Sequence, residues 1–332
     1  MNNPLNQNMP YVSIGLPVYN GEDFLQDSVD SLLSQTYQDF ELVICDNAST
    51  DNTEEICRNY VSKDNRVRYY RNPRNLGAPM NYNRTVRLSR GKYFKWAAAD
   101  DVHAPDYLRR CVEILDTDPS VVLCHTKTSR IDEKGLITGT YEHSMRISST
   151  KIEERFGDLI SIMTNLCWSI FGVMRKEILE KTPLHGDYRG ADANLLAELS
   201  LYGRLYEIPE YLFLRRDHLH SYTQQFCANK KFKSKGLAQQ KAWWSNKSWF
   251  NYTNFKNCYE FFSSVNRVQL TPSERMLCYR EIFRWFYKEG WKLFGNDVEQ
   301  YLLSRSIFGR TSIKVVKSLL GYMGICIIEK DN

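Results

Sequence analysis

The sequence predicts an α/β fold, a mostly parallel sheet flanked by helices, with a mainly helical C-terminal extension. Over the first 130 residues, short apolar runs alternate with amphipathic stretches, which is the pattern of repeated strand–helix units. Beyond about residue 225 the chain becomes Lys-rich and then aromatic, with little strand character. We therefore divide the 332 residues into a tail (1–10), an α/β domain (11–225, with halves 11–130 and 131–225) and a helical region (226–332).

Each element of the first half follows from a local pattern. Five apolar runs predict strands: "YVSIGLPVY", "FELVICD", "RVRYYR", "KYFKWAAA" and "SVVLCHTKT". Helical spacing or capping residues predict helices over 22–35, from "NASTDNTEEI" onward, over 77–89 and over 105–116. The second half reads as a helix after residue 151, a strand "WSIFGVMRK", a helix over 192–202 and a strand "RLYEI".

The composition of the chain indicates its location in the cell, the state of its cysteines and the charge of its partners. The start of the chain shows no signal-peptide pattern, and no apolar run is long enough to span a membrane, so we expect a cytoplasmic protein. Nine scattered cysteines without a C-x-x-C pair suggest free thiols. Between residues 227 and 292 there are thirteen Lys and Arg against four Asp and Glu, which predicts either an anionic partner or a solvated basic face.

Polar residues follow three of the predicted strands, in "PVYNGE", "CDNASTD" and "AAADD". Ligands of such sheets bind beyond the carboxyl ends of the strands, so these clusters should meet at one edge. The adjacent carboxylates of Asp100 and Asp101 could cap a helix, but two like charges are costly together without a cation. No Rossmann or P-loop glycine motif is present to hold phosphates, which favours a carboxylate-bound Mg²⁺ or Mn²⁺ for that role.

The stretch "VSIGLPVYNGEDFLQDSVDSLLSQTYQDFELVICDNASTDNTEEI" resembles the opening of glycosyltransferase family 2. The resemblance continues through "NLGAPMNYNRTVRLSRGKYFKWAAADD" to "RRDH" near residue 218. It implies the GT-A nucleotide-diphospho-sugar transferase fold and an inverting transfer of sugar to an acceptor hydroxyl. The expected setting is the synthesis of cell-surface polysaccharide, lipopolysaccharide or glycolipid.

The same resemblance implies a role for each matching position. Asp192 would be the catalytic base, and Asp100 and His218 would hold the divalent metal, Mn or Mg. The nucleotide-sugar donor would be bound by eight residues: Pro17, Tyr19, Glu22, Asp46, Asn75, Gly77, Asp101 and Arg216.

Purely structural roles remain open for three of these residues. Asp46 could form an Asx-turn, Asp192 could cap its helix, and His218 could be a structural histidine in a polar turn. The sequence also departs from the family pattern, because Ala98 and Ala191 stand where acids are common. Metal dependence is therefore open at this point.

Two other functions compete with this interpretation. A nucleotidyltransferase would also use a nucleotide and acidic metal ligands, although "PVYNGE" lacks the usual Gly- and basic-rich loop. A non-catalytic sugar-nucleotide binder would explain the two alanines. The expected partners are the donor and a glycan or lipid-linked glycan acceptor, with no nucleic acid. The basic, aromatic C-terminal region could contact an anionic membrane at its cytoplasmic face, or its aromatics could form the core of a helical appendage.

Overall fold

The computed structural model describes residues 9–161, 168–219, 221 and 253–291. The strands are β1 Val12–Val18, β2 Phe40–Asp46, β3 Val67–Arg71, β4 Tyr93–Trp96, β5 Val102–His103, β6 Val121–Ile131, β7 Ile137–Tyr141, β8 Val173–Arg175 and β9 Arg204–Arg216. The helices are α1 Leu25–Leu33, α2 Thr53–Lys63, α3 Ala78–Leu88, α4 Tyr107–Thr117, α5 Ile152–Ser161, α6 Lys176–Leu179, α7 Ala191–Tyr202, α8 Thr253–Arg267 and α9 Pro272–Trp285. A 3₁₀ turn, Trp168–Phe171, precedes β8, and a π-helical turn, Phe286–Gly290, follows α9.

One mixed sheet contains the nine strands of the described residues, in the order β3-β2-β1-β4-β8-β6-β9-β5, with β7 pairing with β6. The first four strands of this order are mutually parallel. Strand β8 is antiparallel to both β4 and β6, and β6 is parallel to β9. Strands β1, β2, β4, β6 and β9 therefore all end at the same edge, which we call the carboxyl edge.

The segment "WSIFGVMRK" is not the continuous strand that its apolar character predicts. Its first four residues form the 3₁₀ turn, and β8 is limited to Val173–Arg175. Trp168 packs against the ring of Tyr141, at 4.2 Å between ring centres, and faces the guanidinium of Arg215. Side-chain packing holds this tryptophan outside the sheet, so only the short part between β4 and β6 pairs as strand.

Helices cover both faces of the sheet. Neighbouring residues of β4 and β8 enter opposite clusters: Tyr93 and Val173 join one, and Phe94 and Met174 join the other. One cluster includes side chains of α1, α2 and α4, and the other includes side chains of α5, α7, α8 and α9. The predicted α/β architecture is confirmed.

The described part of the C-terminal region is helical, as predicted. Phe261 of α8 and Trp285 of α9 are 0% and 4% exposed and join the same cluster as α5 and α7. Helix α9 begins with a capping box between Thr271 and Glu274. The segments 222–252 and 292–332, on which part of the membrane prediction rests, lie outside the described residues. Among the described helices, none has the length and apolar character required to cross a bilayer.

Candidate active site

The turns after β1 and β2 lie side by side at the carboxyl edge because these strands are parallel and in register, Val18 opposite Asp46. The backbone N–H of Gly21 donates to Thr53 Oγ1 at 2.9 Å. Glu22 Oε2 accepts hydrogen bonds from Asn52 N and Nδ2 at 3.0 and 2.7 Å. The two turns therefore form one cross-linked ledge.

The two β1 residues predicted for the donor site differ in exposure. Tyr19, at the start of this ledge, is 46% exposed and available to a ligand. Pro17 is buried within β1, opposite Cys45 of β2. Pro17 can therefore shape the ledge from below, whereas Tyr19 presents a ring to solvent.

Asp46 is fully buried where β2 ends, and its side chain binds the backbone of the following turn three residues on, not two residues on as in the Asx-turn considered from the sequence. Its Oδ1 accepts from Ser49 N at 2.8 Å. Its Oδ2 accepts from Tyr69 Oη at 2.7 Å and from Arg71 Nε at 3.2 Å. Burial, together with the carboxylate of Asp46, raises the pKa of Tyr69, so this phenol stays a donor. The carboxylate is thus fixed in place by three neighbours.

A network of asparagines underlies the same region. Asn75 Oδ1 accepts from Asn47 Nδ2 and from Gly77 N, both at 2.8 Å. Asn72 Nδ2 donates to Asn47 Oδ1 at 2.8 Å and to Asn81 Oδ1 at 2.9 Å. Gly77 precedes α3 with φ +83°, a conformation that favours glycine. Sequence reasoning identified Asn75 and Gly77 but missed Asn47, Asn72 and Asn81. The repeated asparagines near the polar strand ends were the signal that could have found them.

Asp100 and Asp101 follow β4, and their carboxylates have separate surroundings. Asp100 Oδ2 lies 2.9 Å from His218 Nε2. Asp101 is 4% exposed, and its Oδ1 accepts from the backbone N of Arg216 at 2.9 Å. Burial, and then the charge of Asp100, raises the pKa of Asp101 well above the usual aspartate range. The structure thus brings the two acids and the "RRDH" segment together at the carboxyl edge.

The buried side chain of Arg216 connects the segments around Asp100 by hydrogen bonds. It is 2% exposed; Nε donates to Asp100 O at 3.0 Å, Nη1 to Glu133 O at 2.8 Å and Nη2 to Asp27 Oδ2 at 2.9 Å. The guanidinium lies over the ring of Phe24, 4.8 Å from its centre. In this conformation each guanidinium nitrogen has a partner within the protein, so the side chain fixes the backbone that carries Asp100.

Asp192 lies in the first turn of α7. The N-cap of this helix is Gly190, at φ +86°, and the helix begins at Ala191. Asp192 is therefore the second helical residue and not the N-cap, although its Oδ1 accepts from Ala193 N at 3.0 Å.

Three aromatic rings lie next to each other beneath the acids. Tyr82 of α3 lies 6.1 Å from Trp96 and 5.2 Å from His185, measured between ring centres. Asn83 and His185 exchange two hydrogen bonds of 2.9 Å, which tie the segment before α7 to α3. Sequence reasoning missed this cluster because its members come from three distant segments.

Tyr82 is acted on electrostatically by acids from two parts of the chain. Burial raises the pKa of its phenol, and the charges of Asp100, Asp101 and Asp192 raise it further. Burial lowers the pKa of His185, although the charge of Asp192 opposes this shift. Acids of the carboxyl edge and of the first turn of α7 therefore both act on the Tyr82 phenol.

This sheet, with acids at the carboxyl edge, defines a glycosyltransferase of the GT-A fold. TarS from S. aureus, residues 1–349 in complex with UDP, has the same fold, with a TM-score of 0.60 and 15% identity over 87% of this chain and 80% of that one. So does the mannosyltransferase PcManGT from Pyrobaculum calidifontis in complex with GDP-Man and Mn²⁺, with a TM-score of 0.53 and 13% identity over 96% and 82%. The sequence model described as "Glycosyl transferase family 2" matches residues 13–182, so the chain belongs to this family.

Several proteins are similar over less than half of the chain. An uncharacterized glycosyltransferase of Methanocaldococcus jannaschii is 34% identical over 130 residues, which are 39% of this chain and 45% of that protein. Chondroitin synthase of Escherichia coli is 36% identical over 134 residues, 40% of this chain and 19% of that protein. An uncharacterized glycosyltransferase of Rickettsia typhi is 29% identical over 159 residues, 48% and 49%. The chain thus matches about half or less of the length of these relatives.

Proposed function

We propose that this chain transfers a sugar from a nucleotide-diphospho-sugar to an acceptor hydroxyl with inversion at the anomeric carbon. The observation that carries the proposal is the grouping of Asp100 and His218 at the carboxyl edge with Asp192 across the shared aromatic cluster. The side with Asp100 and His218 suits the donor diphosphate, and the side with Asp192 suits the acceptor hydroxyl. Such a division of labour is what a direct displacement requires.

The donor nucleotide occupies the ledge formed by the turns after β1 and β2. We assign its base and ribose to Tyr19, Glu22 and Asp46, above Pro17, with Asn75 and Gly77 along the side. The hydrogen-bonded ledge and the asparagine network support this assignment, because a preformed site loses little entropy on binding. The solved structures of the same fold in complex with UDP, UDP-GlcNAc and GDP-Man support a nucleotide sugar as ligand.

The residues around Asp100 fit a divalent metal. A carboxylate oxygen and an imidazole nitrogen 2.9 Å apart are a donor pair that Mn²⁺ accepts, and Asp100 is partly open to solvent. His218 Nδ1 is buried and has no hydrogen-bond partner among the described residues, so the ring is held mainly by its Nε2 side. Asp100 and His218 would hold the ion, and Asp101 and Arg216 position them. When bound, the cation supplies positive charge that stabilises the departing diphosphate.

Asp192 acts as the general base. Its carboxylate lies in the first turn of α7, where it would accept the proton of the acceptor hydroxyl as that oxygen attacks the anomeric carbon. Ala191 leaves Asp192 without the second acid that family members commonly carry. His185, whose pKa is lowered by burial, is neutral at physiological pH and does not compensate the charge of Asp192.

The acceptor is a glycan or a lipid-linked glycan in cell-surface polysaccharide, lipopolysaccharide or glycolipid synthesis. The similarity to a chondroitin synthase supports a polysaccharide setting. We also propose a boundary near residue 225 between the transferase domain and the helical region. The basic composition of that region supports a cytoplasmic protein that contacts an anionic membrane peripherally.

A panel of UDP and GDP sugars tests the proposal. With Mn²⁺ present, one donor should raise the melting temperature and release free nucleoside diphosphate when an acceptor is supplied. Asp100→Asn should abolish both the metal-dependent stabilisation and the transfer. Glu55→Gln, on the exposed side of α2, is the matched charge-removing control and should keep both. Full activity of Asp100→Asn at limiting Mn²⁺ would remove Asp100 from the metal site. Stabilisation by a donor without any turnover would favour a non-catalytic binder.

A further inference from the structure

Three side chains with metal-binding atoms lie together outside the candidate active site. They are His125 of β6, Glu207 of β9 and His143, two residues beyond the end of β7. One ligand atom from each residue lies within 4.8 Å of the other two. Two imidazoles and one carboxylate are the donor set of many zinc sites in which a water completes the coordination.

The strand pairing explains why these residues meet. His125 and Glu207 are direct partners in the parallel ladder of β6 and β9, so their side chains leave the sheet on the same face. Strand β7 returns antiparallel to β6, with Tyr141 opposite Thr128. The chain after β7 therefore passes back alongside the middle of β6, which brings His143 to the pair.

The local geometry suits a cation. His143 Nε2 lies 2.8 Å from Glu207 Oε2, and His125 Nδ1 lies 3.9 Å from the same oxygen, beyond hydrogen-bond reach. Bonds of about 2.0–2.2 Å to zinc place the ligand atoms of a tetrahedral ion about 3.3–3.5 Å apart, within the range spanned here. His125 is 5% exposed; its Nδ1 lies 3.2 Å from the backbone O of Thr126, and its other ring nitrogen, Nε2, has no hydrogen-bond partner in the described part of the chain. A buried imidazole with an unused nitrogen is costly unless something binds the ring.

Lys127, a cation that acts on Glu207, is already engaged by other groups. Lys127 Nζ lies 3.2 Å from Glu142 Oε2 and 5.3 Å from the centre of the Tyr211 ring. Glu142 also accepts from Tyr211 Oη. Lys127 is thus paired with another carboxylate, and Glu207 remains available as an anionic ligand.

We propose that His125, His143 and Glu207 form a second metal site, which binds a divalent transition-metal ion such as Zn²⁺. The ion ties the β6–β7 hairpin to β9 and keeps at least one position for water. This site is separate from the Asp100 site in its residues and in its donor set, which is richer in nitrogen and therefore favours zinc over magnesium.

The test uses the full-length chain without an affinity tag, stripped with a chelator and titrated with Zn²⁺ against a competing chelator. We expect saturable binding, a rise in melting temperature, and with Co²⁺ a visible spectrum of tetrahedral type without a thiolate charge-transfer band. His143→Gln and Glu207→Gln should each weaken binding at least about tenfold. Gln at position 143 can still donate to Glu207, so this variant should fold.

Two controls make the result specific. Glu113→Gln removes an exposed carboxylate of the same type on α4, and Asp100→Asn removes a ligand of the other proposed metal site. Both should retain zinc binding by the chelator competition. The proposal is overturned if the wild-type chain binds no zinc saturably, if His143→Gln and Glu207→Gln bind as the wild type does, or if Co²⁺ gives a thiolate band.

Discussion

Lys95 is a fully buried lysine in β4, the strand that leads to Asp100. Its Nζ lies 2.7 Å from His103 Nε2 and 4.8 Å from the centre of the Tyr107 ring. Burial lowers the pKa of Lys95 from its ordinary 10.5 to about 7. The unfolded chain would hold this proton up to about pH 10.5. Between the two pKa values the unfolded state binds more protons, so stability rises with pH.

The size of the effect follows from the shift. At pH 7, protonation of the unfolded side chain lowers the free energy of unfolding by about 4 kcal/mol relative to a neutral side chain, and at pH 9 by about 2 kcal/mol. Lys95→Met removes this destabilisation by the unfolded state. It also leaves His103 Nε2 without its contact to Nζ, which lowers the free energy of unfolding by about 1–3 kcal/mol. We therefore expect Lys95→Met to be more stable than wild type by about 1–3 kcal/mol at pH 7. This advantage should shrink by about 2 kcal/mol between pH 7 and pH 9.

Urea unfolding of both proteins at pH 7, 8 and 9 measures the difference directly. Thiols of the unfolded chain also begin to titrate in this range, whereas burial raises the pKa of the Cys45 and Cys57 thiols to about 12 in the folded state; this difference is common to both proteins and cancels in the comparison. Lys63→Met, on the exposed surface of α2, is the control and should show a difference from wild type that does not change with pH. A constant difference between Lys95→Met and wild type across this range would mean that Lys95 carries its charge in the folded state, and would refute the reasoning.

Three further predictions address the site and the C-terminal region. Asp192→Asn should lower turnover by about 10²-fold or more with donor affinity unchanged, measured by initial rates and by donor titration; near-normal turnover would leave Asp192 a structural role only. Phe261→Ala should lower the free energy of unfolding by about 3–4 kcal/mol. Tyr259 is 64% exposed, so Tyr259→Ala should change this free energy by less than about 0.5 kcal/mol. Similar effects of the two variants in urea unfolding would contradict the shared core. The full chain should co-sediment with anionic vesicles at low salt and be released by added salt, and no sedimentation at low salt would argue against membrane contact.

The carboxyl edge was predictable because parallel strands place their ends together. Polar residues after three apolar runs were therefore enough to locate Asp46 and Asp100 at one edge. The resemblance to the family added His218, and the structure places it 2.9 Å from Asp100. Local pattern and family motif together identified this corner.

The other side of the site depended on tertiary contacts that no local pattern records. The Asn83–His185 hydrogen bonds join positions about a hundred residues apart in sequence. Sequence reasoning likewise missed β7 and the two-residue strand β5, because a short exposed hairpin and a two-residue bridge carry little apolar periodicity. Strand β9 extends to Arg216, eight residues beyond its predicted end, because pairing with β6 continues across register shifts.

The shared core of α5, α7, α8 and α9 extends beyond the part of the chain that the family model matches. The family model matches residues 13–182, whereas the hydrophobic interior that includes α5 runs on to Trp285. A chain cut at residue 182 would lack α7, α8 and α9 and would leave the apolar face of α5 exposed to water. A boundary taken from the family match alone would therefore remove three helices that share the hydrophobic interior with α5.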